Sequence, residues 1–185
     1  MRLVIFGPPG SGKSTIAKLI AKRFRLKHIV ASDIIKREIK KNNFIGKKMN
    51  EFIEKGELVP ENLIENLMKI NLPKNSFISD GYPRRTSQAK VLDKLSMPDS
   101  VVFLNVPYSV LIKRLLNRAK IEGRKDDTPK TIKERFNVYR KQTEPLLNYY
   151  KNKLIIINAN RDIKVIEKDV IKRLKNANSG SKTKS

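Results

Sequence analysis

Residues 7–15 read GPPGSGKST, and they directly follow an apolar run at residues 3–6. This segment fits the pattern G-x-x-x-x-G-K-[ST] in full, a pattern that stands between a strand and a helix. Its glycines let the backbone curl so that several N–H groups point at one phosphate, and the following helix adds the positive end of its dipole. The segment therefore predicts a strand–loop–helix unit that holds the phosphates of a nucleoside triphosphate.

A few side chains in and near this loop have the chemistry that such a ligand needs. Lys13 is expected to reach the β- and γ-phosphates, and the Ser14 hydroxyl to bind Mg²⁺. Asp80 follows a second apolar run, where a carboxylate is placed to hold the water shell of that Mg²⁺. Arg84 lies on the turn after it, where a guanidinium can clamp a second phosphate. These residues predict two phosphate groups side by side.

Short apolar runs alternate with helical patterns along the chain. The runs are continuous, as is typical of strands buried on both faces, and they fall at residues 3–6, 76–79, 101–106 and 154–157, with a weaker one at 28–30. Helical spacing predicts helices at 13–24, 63–70, 108–119, 128–150 and 163–174, the fourth of them bent near Pro145. The alternation predicts an α/β fold with a parallel five-stranded sheet flanked by helices.

We interpret residues 1–175 as a single domain. Its core comprises residues 1–32, 71–118 and 128–175, and residues 33–70 form an insert because they contain helical patterns without a strand. Residues 176–185, NANSGSKTKS, are polar and small and predict a disordered tail.

The chain is strongly basic, with 41 Lys and Arg against 18 Asp and Glu, for a net charge of +23. Such an excess attracts polyanions, so nonspecific nucleic-acid binding is one interpretation; a merely charged and soluble surface is the other. No cysteine is present, which excludes disulfides and thiolate metal sites, and no apolar run is long enough to cross a bilayer. We expect a cytoplasmic protein that does not associate with membranes.

The motifs, taken in order, resemble those of the nucleoside monophosphate kinases, and most closely the adenylate kinases. Besides residues 7–15 they are SDIIKR at 32–37, GELVPENL at 56–63, DGYPRRTSQA at 80–89, RLLNRAK at 114–120 and GRKDD at 123–127. The resemblance implies a P-loop NTPase fold, with an insert at 33–70 that binds the monophosphate and a short lid at 119–127. It also implies Mg²⁺-dependent phosphoryl transfer from ATP to AMP, no structural zinc, and a monomer.

The resemblance assigns the site residues as well. It implies phosphate, metal and base contacts to ATP for one set, comprising Gly10, Ser11, Gly12, Lys13, Ser14, Thr15, Arg114, Arg118 and Arg161, with Asp33 and Asp80 near the Mg²⁺ waters. It implies contacts to AMP for a second set, comprising Ala31, Lys36, Glu57, Leu58, Val59, Gly81, Arg84, Gln88, Arg124 and Arg135. Lys13, Arg84, Arg118, Arg124 and Arg135 would surround the transferred phosphoryl group and form the catalytic set.

Two positions depart from the adenylate kinase pattern. Ala31 stands where threonine is usual and resembles the UMP/CMP kinases, whereas Gln88 favours adenine because an amide can bond both edge atoms of that base. Lys36 stands where arginine is usual and replaces a bidentate fork with a point charge. The alternatives are therefore a UMP/CMP kinase on the same scaffold, or a basic, nucleotide-dependent RNA-binding or ribosome-assembly protein. His28, the only histidine, is interpreted as a packing residue.

Overall fold

The computed structural model describes residues 1–122 and 128–181, and it contains a parallel five-stranded sheet with helices on both faces. The strand order is β2-β3-β1-β4-β5, so the first strand lies at the centre. This confirms the predicted α/β fold, and each predicted apolar run overlaps one strand to within one residue. The strands are β1 Arg2–Phe6, β2 Lys27–Val30, β3 Phe77–Asp80, β4 Ser100–Asn105 and β5 Leu154–Asn158.

Helices connect the strands and cover the sheet. In chain order they are α1 Lys13–Phe24, α2 Ala31–Lys40, α3 Phe44–Glu54, α4 Glu61–Asn71, α5 Thr86–Ser96, α6 Tyr108–Glu122, α7 Pro129–Val138, a π-helix Tyr139–Thr143, α8 Leu146–Tyr149, a short 3₁₀ helix Lys151–Lys153 and α9 Ile163–Ser181. Among the described residues, no helix has the length and apolar character needed to span a bilayer.

The central strand shows why the apolar runs are continuous. Its side chains alternate between the two faces of the sheet. Leu3 and Ile5 join a buried cluster with α1, α6 and α9, whereas Val4 and Phe6 join a second cluster with α2, α4 and α5. Both faces are therefore packed. The loops that follow β1 and β3 emerge side by side, because these two strands pair in parallel register with Ile5 opposite Asp80.

Three helices, α2 to α4, form most of residues 33–70. Met49 and Met68 on α3 and α4 are fully buried, and they belong to the same apolar cluster as Val4 and Phe77 of the sheet. The helices therefore pack against the core beside β2 and β3, and they form one wall of the cleft described below.

Two regions differ from the sequence prediction. The single helix predicted at 128–150 is divided into α7, the π-helix and α8, because residues 139–143 adopt the wider π-turn before Pro145. Helix α9 runs to Ser181 and so extends into the segment predicted as a disordered tail; no proline interrupts it, and it includes Gly180. Residues 182–185 lie outside the described part of the chain.

Candidate active site

The loop after β1 holds its shape through two glycines in the left-handed region. Gly10 has φ +82° and Gly12 has φ +84°, conformations that L side chains rarely adopt. The Ser11 N–H donates to the Pro8 carbonyl over 3.1 Å, and α1 begins at Lys13. No acidic residue occurs in the first turn of α1, so the positive end of the helix dipole is left for an anion.

A cavity of about 690 Å³ extends from this loop to α2 and α3, within the usual range for a site that holds a small organic ligand. One end is polar and is formed by the loop after β1 and the loop after β3. The other end is apolar and lies against the insert. Of the predicted site residues, those that line this cavity are Gly10, Lys13, Ser14, Ala31, Lys36, Glu57, Leu58, Val59, Asp80, Gly81, Arg84, Gln88, Arg118 and Arg135.

Cations converge at the polar end of the cavity. Burial lowers the pKa of Lys13 to about 8; the nearby Asp80 opposes this shift, whereas Arg84, Arg118 and Arg135 add to it. Burial likewise lowers the pKa of Arg84, opposed by Asp80 and reinforced by Arg135. Four cations therefore lie close enough to disfavour one another, and the buried carboxylate of Asp80 lies among them. Such a cluster is electrostatically suited to a polyanionic ligand.

Asp80 is the carboxylate at the centre of this cluster, and it is 2% exposed. Burial alone would raise its pKa, but His28, Lys13 and the Ser14 hydroxyl outweigh burial and hold the pKa below its usual value. His28 Nε2 lies 3.5 Å from Asp80 Oδ2, and neither atom has a hydrogen-bond partner among residues 1–122 and 128–181. The buried oxygen of Asp80 is thus free to accept from another group.

This unpartnered oxygen fits a Mg²⁺ ion held mainly by phosphate and water. Magnesium keeps several waters and takes only one or two carboxylates from protein. No group of three or more His, Cys, Asp or Glu able to hold a metal occurs in the described residues. Ser14 lines the same cavity, whereas Asp33 is exposed in the first turn of α2 and is not among the lining residues.

Arg84 is held over the loop after β3 by one contact within that loop and one to the first turn of α5. Its Nε donates to the Gly81 carbonyl over 3.0 Å, and its backbone N–H donates to Gln88 Oε1 over 2.8 Å. Gly81 has φ +82°, and a Cβ there would lie 3.2 Å from an Arg84 terminal nitrogen. The turn therefore brings the guanidinium close to the backbone and directs it to the polar end of the cavity.

The apolar end contains the residues predicted to contact a base. Gln88 is 2% exposed, and its amide oxygen already accepts from Arg84. A second lone pair on that oxygen and the amide NH₂ remain able to bond a ligand. Lys36 lines the cavity and Arg37 does not, although both are exposed residues of α2.

A second, smaller cavity of about 250 Å³ lies on the other side of the phosphate loop. It is lined by Gly10, Ser11, Gly12, Thr15, Arg114 and Arg161, together with Ile163 and Ile166. Arg114 donates to the Ala159 carbonyl over 3.2 Å, and Arg161 donates to the Asn158 carbonyl over 2.9 Å and to Asp169 over 2.7 Å. The structure thus brings the predicted base-side arginines together beside the loop.

Some of the cavity falls outside the sequence prediction. Arg124 and the rest of residues 123–127 lie outside the described residues. Conversely, Lys40, Tyr139 and Thr143 line the large cavity without having been predicted. Lys40 lies four residues after Lys36 on the same helix face, so helical spacing could have indicated it. Tyr139 and Thr143 had no such signal, since the π-turn that directs them is invisible in the apolar pattern.

Known proteins are similar to this chain over most of its length. The sequence profile of the adenylate kinase family matches residues 5–155. A protein from Prochlorococcus marinus named adenylate kinase is 39% identical over 181 residues, covering 93% of this chain and 97% of that protein. A protein of the same name from Parabacteroides distasonis is 45% identical over 159 residues, covering 81% of this chain and 84% of that protein. Another from Petrotoga mobilis is 33% identical over 213 residues, covering 96% of this chain and 99% of that protein.

Proposed function

Because this chain belongs to the adenylate kinase family, we propose that it catalyses reversible, Mg²⁺-dependent phosphoryl transfer from ATP to AMP, giving two ADP. It is a phosphotransferase of the nucleoside monophosphate kinase class. One observation carries the specific assignment: Lys13, Arg84, Arg118 and Arg135 line one cavity around a buried carboxylate, between a phosphate loop and an apolar pocket. The arrangement suits two phosphate chains that meet end to end.

In this mechanism ATP occupies the loop at residues 7–15, with its base beside Arg114 and Arg161. AMP occupies the opposite end, with its base against Leu58, Val59 and Gln88. An oxygen of the AMP phosphate forms a bond to the γ-phosphorus of ATP, and the bond from that phosphorus to the β,γ-bridging oxygen breaks. The acceptor is already a phosphate anion, so no side chain needs to remove a proton.

The side chains act by position and charge. Lys13, Arg84, Arg118 and Arg135 neutralise the oxygens of the transferred group, and Arg124 is proposed to join them. Ser14 and Asp80 would hold Mg²⁺, Asp33 contributing through water, and the bound ion would supply further neutralisation of the β- and γ-phosphates. An anionic ligand beside Lys13 would also oppose the effect of burial, so ATP binding would keep this lysine protonated.

We propose that residues 33–70 and 119–127 close over the two nucleotides while the remaining residues up to 175 form a rigid core. Closure would exclude water, which otherwise competes as the acceptor. The insert supplies Lys36 and the base pocket, and the segment after Arg118 would cover the transferred group. The resemblance to the adenylate kinases supports a monomer. The lack of cysteine in the sequence is compatible with a cytoplasmic enzyme.

The basic surface supports a further, nonspecific interaction with nucleic acid. Helix α1 contains no acidic residue and packs beside α9. Lys18 and Lys22 on α1, and Lys168 and Lys172 on α9, are exposed and repeat at four-residue intervals. Rows of like charge destabilise isolated helices and attract phosphate backbones, and such binding weakens steeply with salt.

Binding of a fluorescent RNA oligomer at increasing salt tests the interaction with nucleic acid. We expect affinity to fall steeply, and to fall further when the four lysines of α1 and α9 become glutamate. The matched control changes four exposed lysines elsewhere, Lys69, Lys90, Lys94 and Lys141, to glutamate. Equal losses in both variants would show that net charge, not this face, attracts RNA. Tight, sequence-selective binding at physiological salt would contradict the nonspecific mode.

The kinase function is tested by comparing acceptors. A coupled assay with Mg-ATP and AMP, CMP or UMP should give the highest kcat/KM with AMP, because the Gln88 amide can bond the adenine edge. Replacing Ala31 with threonine should sharpen this preference by about one hydrogen bond, or about 1 kcal/mol. A higher kcat/KM for CMP than for AMP in the unmodified protein would overturn the assignment of AMP as the acceptor.

A further inference from the structure

We infer that the π-helix Tyr139–Thr143 is a positioning element for Arg84, and that Thr143 is its positioning residue. The inference rests on the proposed role of Arg84 in binding the acceptor phosphate. Arg84 lies beyond the end of β3, so hydrogen bonds of the sheet do not hold its backbone. Its position therefore depends on contacts from other elements.

Contacts join the π-helix to the arginine turn across a long stretch of sequence. Thr143 Oγ1 donates to the Arg84 carbonyl over 3.0 Å, and Arg85 Nε donates to Gln142 Oε1 over 2.5 Å. The first pair is 59 residues apart and the second is 57. The first bond holds the backbone of Arg84, and the second holds the side chain of Arg85. The π-helix therefore stabilises the turn in addition to the bonds that Arg84 makes with Gly81 and Gln88.

The π-turn explains how Thr143 reaches this position. Arg135 on α7 and Tyr139 line the same cavity, four residues apart. In a continuous α-helix each residue turns by about 100°, so Thr143, eight residues after Arg135, would lie about 80° away from that face. A π-turn holds more residues per turn, and here the Glu144 N–H donates to the Tyr139 carbonyl over 2.9 Å. Because each residue of a π-turn rotates by less than about 100°, the displacement of about 80° is removed, and Thr143 lies on the same side as Arg135 and faces the cavity.

One helix thereby sets the positions of two arginines. Arg135 lies on α7, immediately before the π-helix, and Thr143 at the end of the π-helix bonds the backbone of Arg84. Arg84 and Arg135 lie close enough for Arg135 to lower the pKa of Arg84, so their separation affects how both meet a phosphate. The π-helix thus fixes the position of the Arg84 guanidinium relative to that of Arg135.

The test uses the full chain and compares Thr143→Val with Thr143→Ser. Valine removes the donor at nearly constant volume, whereas serine keeps it. We expect Thr143→Val to raise the KM for AMP about five-fold, the value of roughly one net hydrogen bond, with the KM for ATP unchanged. Serine should restore the KM for AMP. Lys141→Ala, an exposed residue of the same π-helix, is the matched control and should behave like the unmodified protein.

Two outcomes would overturn the inference while the unmodified enzyme still converts ATP and AMP. One is an unchanged KM for AMP in Thr143→Val. The other is an equal rise in the KM for both nucleotides together with a lower Tm, which indicates a purely structural role. Failure of the unmodified enzyme to act on ATP and AMP would instead overturn the proposed function, so the two failures are distinguishable.

Discussion

The charge of Lys13 destabilises the folded protein without ligand, and in the proposed mechanism the same charge binds the phosphates of ATP. Burial lowers its pKa from 10.5 to about 8, with Arg84 and Arg118 among the neighbours that add to this shift and Asp80 opposing it. Because the folded-state pKa is below the unfolded one, the charged lysine destabilises the fold fully below about pH 8. The cost is relieved as pH rises from about 8 toward 10.5, where the unfolded chain binds a proton that the folded protein has released.

We therefore expect Lys13→Met to lose turnover and to gain stability without nucleotide. Urea unfolding of both proteins should show the variant to be the more stable at about pH 7, and this advantage should shrink at about pH 10. A variant that is less stable at neutral pH, or an advantage that grows with pH, would contradict the account of this residue. Near-normal kcat in the folded variant would contradict the role of the phosphate loop.

Lys36 and Arg37 offer a second contrast at the scale of single residues. Adjacent residues on a helix point about 100° apart, and Lys36 lines the cavity whereas Arg37 does not. We expect Lys36→Ala to raise the KM for AMP roughly ten-fold, the value of a charge-assisted hydrogen bond, and to leave the KM for ATP unchanged. Arg37→Ala is the control and should have little effect. Saturation curves for both nucleotides decide this, and the opposite pattern would place the acceptor phosphate one residue further along α2.

At the scale of elements, the phosphate loop packs against α6 at Gly10. A Cβ at Gly10 would lie 3.0 Å from the Leu111 carbonyl and 3.1 Å from Leu115, whereas a Cβ at Gly12 would meet nothing within 4 Å. Both residues have nearly the same positive φ, so alanine strains the backbone equally at each. The difference in stability between the two alanine variants therefore measures how tightly the loop packs on α6.

Gly12→Ala should lower the free energy of unfolding by about 1 kcal/mol through backbone strain. Gly10→Ala should lower it by about 1–3 kcal/mol more, because the loop or α6 must also shift. Urea denaturation of both variants measures the difference. Equal losses would mean that the contact with α6 does not constrain the loop.

Local patterns predicted most of these elements, and the exceptions have physical causes. The loop at residues 7–15 carries its own turn chemistry, and the apolar runs of β1, β3 and β4 are continuous because side chains on both sheet faces are packed. The apolar run of β5 is continuous although this edge strand leaves Ile156 53% exposed. The π-helix had no signal of its own, since residues 139–143 suit an α-turn equally well. The hydrogen bond from Thr143 to Arg84 could not be predicted either, because it joins residues that are far apart in the sequence.

At the scale of the whole molecule, one arrangement explains several separate sequence features. The strand order places the loop after β1 beside the loop after β3, so Lys13 and Arg84 meet although 70 residues lie between them. The order of strands was not part of the sequence prediction, because alternation indicates a parallel sheet without ordering its strands. The likeness to the adenylate kinases supplied the roles of these residues, and the cavity shows which of them lie together.

The fate of the γ-phosphoryl group of ATP tests the central claim most directly. The protein is mixed with Mg²⁺, AMP and ATP labelled in its γ-phosphate, and the label is followed with time. We predict that the label appears in ADP, with two ADP formed for each AMP consumed and little label in inorganic phosphate, and that Lys13→Ala abolishes the transfer. Label released as inorganic phosphate at the same rate with and without AMP would contradict the account, because the protein would then be a hydrolase.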